Sequence, residues 1–563
     1  MVNVIDPKVN VFDYGPKKVL ERELDVKYDV NEKGDVIISR EYLKDGKLIF
    51  PEEMFREHNV ITPDEFVWGA AGITYKDIGA IDELRDLKSR EVDLSSKITT
   101  SLIKSAGAGH ASMATTPGIW AMLEGTCSKL VDSMFTGSRF GSFLMPSGRR
   151  VPINRDQIVV PKSINNAGGE ALKLYLRTSE ANILAYEELQ ERGVTKQEAS
   201  KIVQYGHRGG GFICMPLESI INFSASFRNN VDEVPAEGRE IILQLEQFIN
   251  EHGIKVTHNA RRNAPRTGVP NPNIFTNKTN LAHELIEKNY DNSQFNPVLM
   301  SVSNFCSEKM DARIYEYYRR RNAVFHNLDR IKTNSTSLLK ELDLIVHDYD
   351  TSVHAVTLVN TPWRVWGEVK RHRTLPQTVE SVYHALERAS RVVNRTFIQT
   401  NFEDFDSVVS IPDSVRNNRE NREYWLNRFS DSVSAYEKLL EMGIPKSDAI
   451  AVIPRGLKLG VVKEYGLYNL SLGYMSLRLC KTAEPEMRKI TEMERELIRN
   501  SNISESVKQL IAPKCHYVGF CPDTEFCKRI KKYDGVDGPV SRYNQEFHLE
   551  MKKSIKDSIR EEL

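Results

Sequence analysis

Arg371, His372 and Arg373 follow Lys370 downstream of an apolar, strand-like run, Ala355-Val356-Thr357-Leu358-Val359. In an extended chain alternate side chains share a face, so Arg371 and Arg373 point one way and His372 the other. Two guanidinium groups on one face suit a phosphate or another anion, because their planar forks of donors match its oxygens. A solvated basic turn accounts for the same triplet, and the triplet alone does not separate the two readings. The tail carries a second chemistry-bearing pattern, C-H-x4-C-x5-C, at Cys515, His516, Cys521 and Cys527. Thiolates and an imidazole are zinc ligands, but the pattern lacks a Cys-x-x-Cys knuckle, so it is read as reduced thiols with no metal assigned.

These residues belong to a chain of 563, longer than one domain, with 77 basic and 77 acidic side chains. The neutral balance gives no global electrostatic case for nucleic acid or an anionic membrane. No apolar run approaches the ~18 residues needed to span a bilayer. The N-terminal residues Met1-Val2-Asn3-Val4-Ile5-Asp6-Pro7 lack a basic segment followed by an apolar core. Seven cysteines in such a chain read as free thiols. The expectation is a cytoplasmic globular protein that works on small molecules, away from nucleic acid and membrane.

The elements that position the triplet come from an internal repeat. Residues 185–199 (AYEELQERGVTKQEA) recur at 435–449 (AYEKLLEMGIPKSDA), with eight of fifteen positions identical. The unit reads as helix, glycine stop, helix: Gly193 and Gly443 fall where a left-handed cap belongs, and Thr195 and Pro445 open the next helix. Phe66-Val67-Trp68-Gly69-Ala70 echoes Pro297-Val298-Leu299-Met300-Ser301. The expected organisation is an N-terminal arm (1–61), a first α+β copy (62–256), a Pro- and Asn-rich linker (257–294), a second copy (295–505) and a Cys-containing tail (506–563). If the copies correspond throughout, the counterpart of the Arg-His-Arg triplet begins about 234 residues earlier, at Gly137-Ser138-Arg139.

Arg371-His372-Arg373 resembles the head of the flavin-dependent thymidylate synthase signature, RHRxxSxNExSxRY. Further along, Pro376, Thr378, Val379 and Tyr383 stand where that pattern has Ser, Asn, Glu and Arg, and Ser381 is kept. Gly109-His110-Ala111-Ser112 resembles the family's upstream Gly-His segment. Leu477-Arg478 through Ala483-Glu484-Pro485-Glu486-Met487-Arg488 resembles its downstream helix. The first copy lacks the head of the signature but has Ser147-Gly148-Arg149, similar to its Ser-x-Arg tail.

The resemblance implies an α+β fold with antiparallel or mixed sheets and a substrate held between two subunits. The losses in the two copies are complementary. It therefore implies a fused pseudo-dimer with one composite site, two chains making a pseudo-tetramer as a homodimer. The implied reaction turns dUMP into dTMP, with methylenetetrahydrofolate as carbon source, FAD as cofactor and NADPH as reductant. Glu368, Arg371, Ser147, Gly148, Arg149 and Lys201 would bind the nucleotide, and Arg478 would both bind it and stabilise charge on the uracil. Arg371, His372, Arg373, Ser112 and Asn469 would hold the flavin, whose redox chemistry is its own. Two other outcomes stay open: a flavin- or nucleotide-binding homologue without this activity, and methylation of another uracil nucleotide.

Overall fold

The computed structural model describes residues 2–16, 19–20, 28–30, 36–38, 43–44, 47–48, 60–72, 79–89, 94–147, 151–264, 271–276, 278–289, 297–305, 307–399, 402–534, 538–540 and 542–562. Two four-stranded antiparallel sheets organise it. The first contains β1 (Asp6–Gly15), β2 (Gly118–Thr126), β3 (Ser142–Leu144) and β4 (Gly211–Pro216), in the order β1-β2-β4-β3. The second contains β5 (Val298–Asn304), β6 (Val353–Pro362), β7 (Gln377–Val379) and β8 (Lys458–Tyr465), in the order β5-β6-β8-β7. Both edge strands β1 and β5 carry a register shift against their neighbour, at Val11/Asp13 and Leu299/Ser301. A bulge of this kind bends an edge strand and increases its twist.

The helices that position the site are α1 (Gly169–Glu191), α2 (Trp363–Val369), α3 (Arg419–Glu441), α4 (Tyr474–Arg478) and α5 (Pro485–Arg499). α1 and α3 are the two copies of the repeated helix, and they pack against each other. Each ends at a left-handed glycine, Gly193 at φ 87° and Gly443 at φ 80°. The Thr195 side chain then accepts from the Glu198 amide and opens the following short helix. β8 is buried over nearly its whole length because helix Leu281–Asn289 and α5 cover the second sheet.

Backbone bonds between the two halves are reciprocal at an offset of 250 residues. The Tyr205 amide donates to the Ile453 carbonyl (3.2 Å) and the Arg455 amide to Val203 (3.0 Å); Gly206 donates to Ala451 and Gly456 to Lys201, both at 2.7 Å. Asn182 and Ser432, also 250 apart, bond to each other at 3.0 Å where α1 meets α3. Such exchange, residue i to j and j to i, is the pattern of a two-fold contact. Gly206 must be glycine here, because a Cβ would lie 1.9 Å from the Tyr175 hydroxyl and 2.8 Å from the Ala451 carbonyl. One apolar core runs through both halves.

One expectation changes. Phe66–Ala70 lies inside the helix Pro63–Gly72, and the strand that occupies the place of β5 in the first sheet is β1. Residues 1–61, read as an arm, thus contain an edge strand of that sheet. The offset at the triplet holds. With Ile213 and Lys463 equivalent, β2 and β6 correspond at 236 residues, but β3 and β7 correspond at 234 (Phe143 and Gln377), and the helices Leu130–Phe135 and α2 also end 234 apart, which sets Arg139 against Arg373. The basic run Arg319-Arg320-Arg321 is neutralised residue by residue, by Glu316, Glu341 and Asp534. Among the described residues no helix is long and apolar enough to cross a membrane.

Candidate active site

β6 ends at Pro362 and runs straight into α2, whose last turn presents Glu368 and whose C-terminus releases the chain into Arg371-His372-Arg373. α4 delivers Arg478 to the same place. Its Nε donates to His372 Nε2 (3.0 Å), one terminal nitrogen to the Glu368 carboxylate (3.2 Å) and the other to the Glu368 carbonyl (2.9 Å). An arginine only donates, so His372 Nε2 carries the lone pair and Nδ1 carries the proton. Burial, then the charges of Arg478, Lys463 and Arg371, push the imidazole down to about 3, so His372 is neutral at physiological pH. Its ring meets Tyr474 edge-on at 5.0 Å.

A crevice opens between the halves beside this group. The first half lines it with Lys129, Asp132, Ser147 and Tyr205, and the second with Arg364, Glu368, Arg371 and Arg455. Tyr205 stacks on Trp363 with ring centroids 3.9 Å apart, and Trp363 Nε1 donates to Ser133 (2.9 Å), so the two sides are locked together. Four cations face two carboxylates, and both carboxylates have partners. Arg478 holds Glu368; Asp132 is paired with Lys370 (3.3 Å) and Lys129 (3.5 Å). Burial works to raise the Asp132 carboxyl, but Lys370, Lys129 and Arg371 overcome it and hold Asp132 below the usual carboxylate range.

The crevice is therefore positive. Arg364 is buried and spends one nitrogen on Glu484 (3.4 Å), while its Nε and other terminal nitrogen find no partner among the described residues. Burial and then the neighbouring Arg364 push the Arg455 guanidinium down to about 9. Unpartnered buried donors beside crowded cations fit an anion that would accept from both. Burial also pushes Lys370 down to about 8 against the pull of Asp132. Once Lys370 loses its proton, Asp132 is left as uncompensated negative charge. Affinity for inorganic phosphate is thus expected to fall as pH rises through about 8. Calorimetric titrations on both sides of that pH would check this, and a flat profile would remove Lys370 from the field.

Arg371 also lines a neighbouring crevice of about 100 Å³ with Arg373 and, from the first half, Thr136, Phe143 and Met145. Arg373 reaches across to donate to the Ser138 carbonyl (3.2 Å), with its guanidinium 5.6 Å from the Phe143 ring. An aromatic ring, a thioether and two guanidinium groups fit a flat, phosphate-bearing ligand.

The structure thus brings together Glu368, Arg371, His372, Arg373, Arg478 and, from the other half, Ser147. Gly148 and Arg149 lie outside the described residues. Lys201 is elsewhere: it is buried and paired with Glu484 (3.1 Å) and Glu486, and it lines a different cavity. Those two carboxylates outweigh burial and raise its pKa. Ser112 is exposed at the start of the short helix Ser112–Thr115, which packs on Leu217–Asn229, and it lines neither crevice. Asn469 is a positioning residue: its amide donates to the Thr374 carbonyl (2.8 Å) and accepts from the Thr374 hydroxyl (3.2 Å), fixing the turn after Arg373. Lys129, Asp132, Tyr205, Arg364, Lys370 and Arg455 were missed. For Arg455 a signal existed, an arginine inside the apolar run Ile450-Ala451-Val452-Ile453-Pro454-Arg455.

The family model described as thymidylate synthase complementing protein matches residues 351–501, which hold Glu368, the triplet and Arg478. The flavin-dependent thymidylate synthase of Pyrococcus abyssi is 27% identical over 134 residues, covering 23% of this chain and 54% of that protein. That of Pyrococcus furiosus is 25% identical over 151 residues, covering 25% and 62%. The chain spans about half the length of the curated relatives it matches. Among solved structures, the UMP/dUMP methylase PolB from Streptomyces cacaoi bound with 5-Br dUMP aligns at 13% identity and TM-score 0.31, covering 47% of this chain and all of that one. The flavin-dependent thymidylate synthase ThyX of Helicobacter pylori, complexed with FAD and dUMP, aligns at 13% identity and TM-score 0.26, covering 38% and 98%. The segment 351–501, which carries the Arg-His-Arg turn and the arginine that grips it, is thus the part of this chain that matches the thymidylate synthase complementing protein family.

Proposed function

We propose that the chain methylates dUMP to dTMP at one composite site, with FAD as cofactor and methylenetetrahydrofolate and NADPH as co-substrates. The observation that carries this is the positive crevice built from both halves, with free donors on Arg364, beside the Arg478–His372–Glu368 group. The nucleotide phosphate would take Arg364, Arg371 and Arg455, with Ser147 as a hydroxyl partner. Arg478 keeps one N–H on each terminal nitrogen after its three bonds. Those donors would face the uracil edge and stabilise negative charge developing there. Neutral His372 offers its Nδ1 proton as a hydrogen-bond donor. Arg371, Arg373, Phe143 and Met145 would hold the flavin, which supplies hydride chemistry when bound.

One site per chain follows from the repeat. At the 234-residue offset, Gly137 and Ser138 stand where the second half has Arg371 and His372, and of the triplet the first half keeps a guanidinium only at Arg139. A Cβ at Gly137 would lie 3.2 Å from the Pro272 carbonyl, so the connecting segment closes over the place of the first arginine. Ile274 and Phe275 of that segment are buried, with Ile274 accepting from the Val382 amide. The chain is then a fused pseudo-dimer, and two chains would form a pseudo-tetramer.

A second reading, a nucleotide- and flavin-binding homologue without turnover, is favoured by Thr378 and Val379. They stand at polar positions of the family signature but are built into β7 against β8. Purified protein is expected to bind one FAD and one dUMP per chain and to form dTMP under reducing conditions. Binding of both without dTMP selects the second reading. Absence of flavin binding removes both.

A further inference from the structure

Against α4, whose Ser476 and Leu477 contribute to its wall, Cys480, Cys515, Cys521 and Cys527 line one cavity of about 250 Å³. All four are free thiols. Cys480 follows α4 directly, Cys515 sits on the helix Lys514–Val518, and Cys521 and Cys527 flank the next loop. The set differs from the C-H-x4-C-x5-C pattern read in the sequence. His516 is next to Cys515 on a helix, so it leaves at about 100° to it. Its Nδ1 meets Asp534 (2.8 Å), its Nε2 meets the Tyr318 hydroxyl (3.3 Å) and its carbonyl accepts from Arg321 (2.8 Å). Cys480, distant in sequence, takes the place expected for it.

We propose that these four thiols ligate an iron–sulfur cluster. Four cysteines are the common ligand set of such clusters. A single zinc would serve the same residue types, but thiolates at ~2.3 Å from one ion close around it and leave no void. Here the cavity stays open, and among the described residues no three metal-capable side chains converge on a single-ion position. Charge points the same way. A cluster bound by four thiolates is anionic, and Lys481, Lys514 and Arg529 line the cavity. Arg529 pairs with Glu492 through a terminal nitrogen, while its Nε is buried with no partner among the described residues. Cys480 donates to Asp523 (2.9 Å), a bond its thiolate would give up, with the Thr482 hydroxyl 3.3 Å from that carboxylate to replace it. Binding is ligand exchange on a preformed cluster. Each cysteine releases its proton to water and forms one Fe–S bond, the cluster loses one external ligand per bond, and no electron is transferred.

This inference does not depend on the nucleotide reading. The full chain, purified without oxygen, is expected to contain iron and acid-labile sulfide in equal amounts and to show a cluster spectrum by Mössbauer spectroscopy. Zinc alone, or neither iron nor sulfide, overturns the proposal. Cys480→Ala and Cys515→Ala are expected to lower iron per chain several-fold, whereas Cys214→Ala, a thiol in β4, leaves it unchanged. Equal iron in all three variants also overturns it. If the first two fail to fold, the measurement on the unaltered protein decides.

Discussion

Arg364→Met is expected to weaken dUMP binding by about 10- to 150-fold and to leave deoxyuridine binding nearly unchanged. The magnitude is that of a lost charge-assisted hydrogen bond, roughly 1.5–3 kcal/mol. Methionine keeps the apolar stem of the arginine and removes only its donors. The variant should fold, because Glu484 retains Lys201 at 3.1 Å and Arg455 is relieved of a like charge. Calorimetry with nucleotide and nucleoside in parallel separates a phosphate contact from general damage. Equal losses for the two ligands would place the phosphate elsewhere.

Arg478→Lys is expected to lower the rate of dTMP formation by about 10²- to 10³-fold, the usual effect of removing a donor aimed at developing charge. Lysine is a point charge and cannot hold the Glu368 carboxylate, the Glu368 carbonyl and His372 Nε2 at once. A second readout distinguishes this from simple misplacement. Arg478 is, after burial, the leading cause of the depressed His372 pKa through its charge, which lysine keeps, so in a companion Arg478→Gln variant the imidazole protonates at a higher pH. Protonation removes the Nε2 lone pair, and activity should then fall off on the acid side at a higher pH than in the unaltered protein. A rate profile that drops uniformly at all pH values would argue against the Arg478–His372 bond.

The part of the site that is contiguous in sequence was legible: Arg371-His372-Arg373, with Glu368 ahead of it and Arg478 marked by its helix. The repeat made it sensible to look for the remainder in the other half, and Ser147 is there. Lys201 failed because sequence shows a basic residue at a plausible position but not the carboxylates that surround it. Glu484 and Glu486, nearly three hundred residues on, use its charge completely. Arg364, Arg455, Lys129 and Asp132 were missed for the converse reason. Each sits where a strand or crossing segment ends, and only the meeting of the halves turns four scattered charges into one field. The same holds for the first sheet. β1 is separated from its partner β2 by about a hundred residues, so no local pattern announces their pairing. The helix-glycine-helix repeat, whose caps are local, was read correctly.

The reciprocal bonds between Tyr205 and Ile453, and between Arg455 and Val203, join surfaces that share one polypeptide. Two separate chains would have to find each other at cellular concentrations, and their contact would need affinity of its own. A covalent connection replaces that with an effective concentration on the order of millimolar. The seam can therefore include groups that weaken association, such as the buried Arg455 and the buried Lys370–Asp132 pair, without falling apart on dilution. A crevice built across this seam keeps its charge however scarce the protein becomes.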